Sequence, residues 1–232
     1  MNVPHLLATG DVEVLGLLPN SSNYTFLARV RGADGAEINA VYKPRRGERP
    51  LWDFPHGSLA QREVAAFVVS EAAGWDIVPP TVLREDAPLG PGSLQLFVEH
   101  DPQRHFFVFE DEGRDDELMV FAVFDAVINN ADRKGGHVIE DGARRLWAVD
   151  HGVTFHVEPK LRTVVWAFAE SRLPAGLLAD LEGLGGTVRE IGLERLLAPE
   201  EIEATARRIE RLVEEGRFPA PSVSYPLPWP LI

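Results

Sequence analysis

Cysteine is absent from the 232 residues, which excludes both a disulfide framework and a thiolate metal site. Basic residues are in deficit, 23 against 36 acidic ones, and the net charge of −13 disfavours nucleic acid and anionic membrane surfaces as partners. The apolar run over 118–124 is broken by Asp125 and is much too short to cross a bilayer. The opening MNVPHLLATG has no basic segment ahead of an apolar core, so it is not a signal peptide, and a cytoplasmic protein is expected. No G-x-x-x-x-G-K-[ST] loop, G-x-S-x-G elbow or H-E-x-x-H pair occurs, which leaves P-loop, serine-nucleophile and zinc-hydrolase mechanisms without support. Lysine is scarce as well: only Lys43, Lys134 and Lys160 occur among the basic residues. Either each marks a place where a compact ammonium serves better than a planar guanidinium, or the distribution is chance.

What is present is a globular composition, 45% hydrophobic and 25% charged, long enough for one two-lobed domain or two small packed ones. The organising stretch is FDAVINNADRKGGHVIEDGARRLWAVD, 124–150. An apolar helix over 118–130, too uniformly apolar to lie on a surface, runs into a polar knot over 129–137. Two short strands follow, joined by Glu140-Asp141-Gly142-Ala143, and Asp-Gly between alternating segments signals a hairpin. Asp132 lies just before that hairpin and Asp150 just after it, an arrangement suited to a base and a metal ligand sharing one substrate.

Asp132-Arg133-Lys134, two glycines and His137, followed by Asp150-His151-Gly152, resemble the catalytic loop and metal-binding Asp of the protein-kinase-like superfamily. The pattern is nearest to the phosphatidylinositol 3/4-kinase-related branch, which includes HipA-type kinases. That resemblance implies an α+β bilobal fold: an N-lobe of antiparallel sheet plus one helix over 1–101, a mainly helical C-lobe over 102–217, and a Pro-rich tail over 218–232. It implies ATP with Mg²⁺ or Mn²⁺, Asp132 as the catalytic carboxylate, Lys134 as a stabiliser of the transferred group, and Asp150 as metal ligand. His137 stands where the family has Asn. Three consequences remain open: an altered metal preference, the loss of one of two metals, or Asn129 or Asn130 taking the role.

Read in order, strands are expected over 12–18 as an apolar-rich segment, over 23–31 from alternating apolar residues, and over 36–43 after a hairpin turn at Gly32-Ala33-Asp34-Gly35. The link 19–22 reads either as an ordinary hairpin turn or, under the resemblance, as a phosphate-covering turn using Ser21, Ser22 and Asn23. Lys43 ends the next strand, where a kinase carries its phosphate-binding lysine. A thirteen-residue loop over 45–57 is long enough to be a lid or a substrate contact. Ser58 and Gln61 suggest a capping box opening a helix that stops before Gly74. In the resemblance, Glu63 of that helix pairs with Lys43.

Residues 75–84 read as an interrupted edge strand, 94–99 as a strand leading into a hinge, and 103–116 as an irregular solvated stretch. The resemblance makes Phe97, Val98 and Glu99 the adenine contacts and 155–171 the activation segment, anchored by Trp166 and Phe168. Helices are expected over 173–184, ended by Gly183, Gly185 and Gly186, and over 199–215, opened by Pro199 and stopped by Gly216. The tail reads as extended, either lying along the domain or binding a protein partner. The expected activity is transfer of the γ-phosphate to a hydroxyl of a protein or small polar molecule. A nucleotide-binding pseudokinase scaffold and an AMP transferase using the same cleft remain as alternatives.

Overall fold

Side chains that alternate between the two faces of a strand decide the first half of the molecule. The computed structural model describes residues 1–19 and 23–232; Ser21 and Ser22 lie outside the described residues. Strands β1 (Asp11–Leu17), β2 (Phe26–Arg31), β3 (Glu37–Pro44), β4 (Thr81–Arg84) and β5 (Gly92–Leu96) form one antiparallel sheet in the order β1-β2-β3-β5-β4. Ala28, Val30, Ala40, Tyr42 and Leu94 bury one face against Leu6 and Leu7 of the opening helix α1 (Val3–Thr9), which the sequence pattern had not indicated. Arg84 ties that helix to the sheet by donating to the carbonyls of Leu7 and Gly10 at 3.0 Å each. With Tyr42 turned into this core, its neighbour Lys43 must project from the other face.

Helix α2 (Leu59–Ala72) connects β3 to β4 and lies beside β4 and β5, while part of its apolar surface enters a second core. Ala65, Ala66 and Val69 belong to the core built around α4 (Asp115–Ile128), together with Phe121, Phe124 and Val127. The ribbon of β6 (Val138–Glu140) and β7 (Leu146–Ala148) follows α4, and α5 (Ala175–Thr187) and α6 (Pro199–Glu215) complete the helical half. The fold class is therefore α+β, a five-stranded antiparallel sheet with helices, as expected.

Several local expectations are corrected. The stretch over 103–116 contains a helix, α3 (Phe106–Asp111), because Phe106 and Phe109 have a core to enter. Helix α5 runs through Gly183, Gly185 and Gly186 to Thr187; a Cβ on Gly185 would lie 3.3 Å from Ile209, so that glycine permits close packing on α6 instead of stopping the helix. Ser58 does not cap α2, since its hydroxyl donates to the Pro55 carbonyl at 2.7 Å. Only Thr81–Arg84 of the region over 75–84 is a strand, and β5 ends at Leu96. Residues 218–232 form neither helix nor named strand and lie along the helical half.

Phe124 is fully buried and meets Trp75 and the His151 ring edge-to-face, with centroids 6.1 and 5.5 Å apart. Phe124→Ala is expected to lose about 3–5 kcal/mol of unfolding free energy, measured by urea denaturation, because it removes a ring that joins α2's exit to the functional loop.

Candidate active site

The loop after α4 is built on one buried acid. Asp125 is wholly buried; it accepts from Arg133 Nη2 at 2.9 Å, Arg133 Nε at 3.1 Å, Asn130 Nδ2 at 2.9 Å and Thr163 Oγ1 at 3.0 Å. Asn130 Oδ1 in turn accepts from the Asp132 amide at 3.0 Å, and Arg133 reaches the Val149 carbonyl at 2.8 Å. One carboxylate thus fixes the backbone at both ends of the hairpin. The sequence reading passed over Asp125; its signal was a lone acid inside a helix too apolar to face water. Asp125→Ala is expected to destabilise the fold by about 3–5 kcal/mol in urea unfolding, since it leaves a buried guanidinium uncompensated.

At the hairpin's exit Asp150 sits in the left-handed region at φ 62°, uncommon for a residue with a Cβ. This turns its half-exposed carboxylate toward the sheet, where Oδ1 accepts from Lys43 Nζ at 2.8 Å. Lys43 also bonds Glu63 Oε1 of α2, and Glu63 Oε2 accepts from the His151 amide at 3.0 Å. Gly152 lets the chain pass α2 closely, a Cβ there lying 3.4 Å from Leu59. The structure therefore brings together three residues separated by 20 and 107 positions in the chain.

His137 Nε2 lies 3.4 Å from Asp150 Oδ2, and its Nδ1 faces the Lys134 amide at 3.4 Å. An Nδ1 that accepts leaves the proton of a neutral ring on Nε2, toward Asp150. Lys134 Nζ pairs with Asp132 Oδ2 at 3.1 Å. Asn129 does not join them: its amide donates to the carbonyls of His156 and Glu158 at 2.8 and 2.7 Å, and its oxygen accepts from the Lys160 amide at 2.9 Å. Asn130 is buried and committed to Asp125 and Asp132. Neither asparagine has a side chain left for a metal.

After β5, the Phe97 amide donates to the Asn39 carbonyl at 3.0 Å and His100 Nδ1 lies 2.9 Å from the Val98 carbonyl, while Glu99 is exposed. Asn23 Oδ1 accepts from the Arg49 amide at 2.8 Å, which ties the residue after the β1–β2 turn to the loop over 45–57. That loop reaches across the cleft: Asp53 pairs with Lys160 at 2.9 Å, and Phe54 packs edge-to-face on His156 with centroids 5.3 Å apart. The tail borders the loop that carries Asp132, with carbonyls of Leu231 and Pro226 accepting from the amides of Gly135 and Thr163 at 2.7 and 3.1 Å.

Electrostatics separate the acids. Burial works to lower the Lys43 pKa, but Asp150 and Glu63 outweigh it and hold the ammonium above the ordinary lysine range. Lys43 holds Asp150 far below the usual carboxylate range, while burial pushes Glu63 and Asp132 up, opposed by Lys43 and Lys134 respectively. Burial lowers His137 to about 4 and takes His151 well below its ordinary value.

An ionised, half-exposed carboxylate such as Asp150 suits a hard divalent cation. Among the described residues no group of three or more His, Asp or Glu side chains is placed to hold a metal ion by itself. Two surface concavities, one lined by Ala122 and Phe218 and the other by Arg29 and Asn39, do not touch Lys43 or Asp150.

The chain is 38% identical to Protein Rv2133c from Mycobacterium tuberculosis, over 97% of this chain and 94% of that protein. It belongs to that family. No protein-family model matches it. A Golgi casein kinase structure aligns over 92% of this chain and 73% of its own, with TM-score 0.57 and 15% identity. The hydra Fam20 structure with sugar aligns over 92% and 86%, with TM-score 0.56 and 14% identity. The Helicobacter pylori proinflammatory kinase CtkA aligns over 91% and 94%, with TM-score 0.51 and 10% identity. The fold of the Rv2133c family is thus protein-kinase-like.

Folded His137 binds its proton only below about 4, whereas the unfolded ring binds it below the ordinary 6.5. Between those values the unfolded state holds more protons, so stability rises with pH and is lost as pH falls through the window. The urea midpoint of metal-free protein is therefore expected to drop from about pH 7 to about pH 5, and His137→Asn to flatten that drop. A wild-type midpoint unchanged over this range would contradict a buried neutral imidazole.

Proposed function

We propose that the protein is an ATP-dependent phosphotransferase that moves the γ-phosphate to a hydroxyl of a protein or a small polar molecule. The observation that carries this reading is Lys43, held by Glu63 from the sheet side and set against Asp150 at the end of the hairpin. Phosphoryl transfer asks for positioning and charge stabilisation more than covalent help, and these groups supply both. Lys43 would clamp the nucleotide phosphates. Asp150 would hold a divalent ion, Mg²⁺ or Mn²⁺, which when bound neutralises phosphate charge. For His137 to add a nitrogen ligand, its Nε2 must first give up the proton it holds toward Asp150.

Asp132 would take the proton of the acceptor hydroxyl as its oxygen bonds the γ-phosphorus and the bond to ADP breaks. Burial raises its basicity, which suits that task. Lys134, paired with Asp132, would stabilise the transferred group. The backbone around Phe97, Val98 and Glu99 would meet the adenine, and the turn with Ser21, Ser22 and Asn23 would cover the phosphates. The structural neighbour described as the Golgi casein kinase with Mn/ADP bound, 14% identical with TM-score 0.57 over 96% of this chain and 80% of its own, supports a nucleotide and a divalent metal.

In this reading residues 1–101 form the nucleotide-covering half, 102–217 the catalytic half and 218–232 a bordering tail. The motif order supports the phosphatidylinositol 3/4-kinase-related branch, and the net charge of −13 favours a soluble acceptor over an anionic lipid. No helix among the described residues is long and apolar enough to cross a membrane, which accords with a cytoplasmic site of action. Exposed Tyr225 and Trp229 on the tail are the residues through which a protein partner would dock.

ATP with Mg²⁺ or Mn²⁺ is expected to raise the melting temperature, by an amount equivalent to about 2.7 kcal/mol at a hundred times Kd. Asp150→Asn removes the metal-dependent part and Lys43→Met most of the remainder. The γ-label reaches an acceptor, and Asp132→Asn slows transfer by about 10²–10⁴. Transfer of the α-label instead identifies an AMP transferase; binding without transfer of either label identifies a scaffold.

A further inference from the structure

Helix α2 carries Glu63, so the position of this helix sets the position of Lys43. Next to Glu63 is Arg62, 1% exposed and one of the largest fully buried side chains in the molecule. Its guanidinium points away from the sheet and into the helical half. It donates to Glu201 Oε1 on α6 and to the carbonyl of Thr154, and its Nε lies 3.3 Å from Ser58 Oγ. Phe54 lies under the same group, 4.9 Å from centroid to carbon. Glu201 is itself buried, and its second oxygen accepts from the Ala198 amide at 3.0 Å. The far end of the connection is fixed too: Trp75 Nε1 donates to Asp180 of α5 at 3.0 Å, and the Ile77 carbonyl accepts from the Ala148 amide of β7 at 2.7 Å.

We propose that Arg62 and Glu201 bolt α2 to the helical half, keeping Glu63 on Lys43 permanently, so that the phosphate clamp is constitutive and needs no activating phosphorylation or partner to bring the helix in. This rests on the phosphotransferase reading and adds to it how the site is regulated. A helix that moved as a rigid body with the sheet would strip a buried guanidinium of its carboxylate, which is costly, and would tear Ala65, Ala66 and Val69 from the core they share with Phe121 and Phe124. One position of α2 is therefore favoured by charge and by packing together. Arg62 and Glu201 act through Glu63 and are positioning residues.

The test is Arg62→Met combined with Glu201→Leu, which exchanges the pair for apolar side chains and leaves no orphaned charge. The double variant is expected to keep the wild-type circular dichroism and a melting temperature near the wild type's. Its His151 amide, whose hydrogen goes to Glu63 Oε2, should exchange faster with solvent as Glu63 leaves its place. The ATP KM should rise and kcat should fall by about a hundredfold, the scale of an ångström's misplacement. Glu201→Gln, which keeps the shape and one hydrogen bond, should show the same changes to a smaller degree and serves as the readout if the double variant fails to fold.

Wild-type exchange at His151 in a folded variant, with unchanged kinetics, would overturn the proposal. So would loss of turnover when wild-type protein is treated with phosphatase. Amide exchange needs no turnover, so absence of phosphate transfer in the wild type would sink the phosphotransferase reading while leaving the bolt to be judged by exchange.

Discussion

An ammonium shared by two carboxylates from opposite sides of a cleft is the contact on which the arrangement depends. Lys43 comes from the sheet, Glu63 from the helix that follows it, and Asp150 from the ribbon of the helical half. Two anions around one cation leave one excess negative charge, which a bound divalent ion would offset. The left-handed backbone at Asp150 is what aims its carboxylate at the cleft, and conformations of this kind persist only where the surroundings hold them.

Those surroundings trace to Asp125. By engaging Arg133, Asn130 and Thr163 at once, it fixes both the loop that presents Asp132 and Lys134 and the strand end that delivers Asp150. The buried side chains of Asp125, Asn130, Arg133 and Thr163 all have partners, the condition under which a buried polar cluster rigidifies a site instead of weakening it. His151 borders it, accepting from Arg133 at Nε2 and resting against Phe124, while its buried Nδ1 has no hydrogen-bond partner among the described residues. The kinase-like fold shared with structures only 10–15% identical to this chain is thus matched here by a polar interior that sets the reacting groups.

Helix α2 belongs to two structures. It is covalently part of the sheet half, yet its apolar residues are counted in the core of the helical half. The loop over 45–57 adds a second tie through Asp53 and Lys160. A cleft whose walls are joined in this way is organised before any ligand arrives, which reduces the ordering that binding must accomplish.

Much of this was legible in the chain. An apolar segment, period-two alternation and a Gly-Ala-Asp-Gly turn located β1, β2 and β3; Pro199 and Gly216 bounded α6, and Asp-Gly announced the ribbon. The order of Lys43, Glu63, Asp132 and Asp150 carried the kinase-like reading. Helix α3 and the continuation of α5 were not legible, because Phe106 and Gly185 take their meaning from what packs against them. Asp125, Arg62 and Glu201 were missed for a related reason: a charged residue in a helical pattern reads as solvated until its partner, 139 positions away in the case of Arg62 and Glu201, is known to lie beside it. Local chemistry, meaning side-chain period, turn residues and motif order, was fixed by the sequence alone. Which charges would be buried together was decided only by the tertiary structure, because ion pairing and close packing depend on distances in space that separation along the chain does not set.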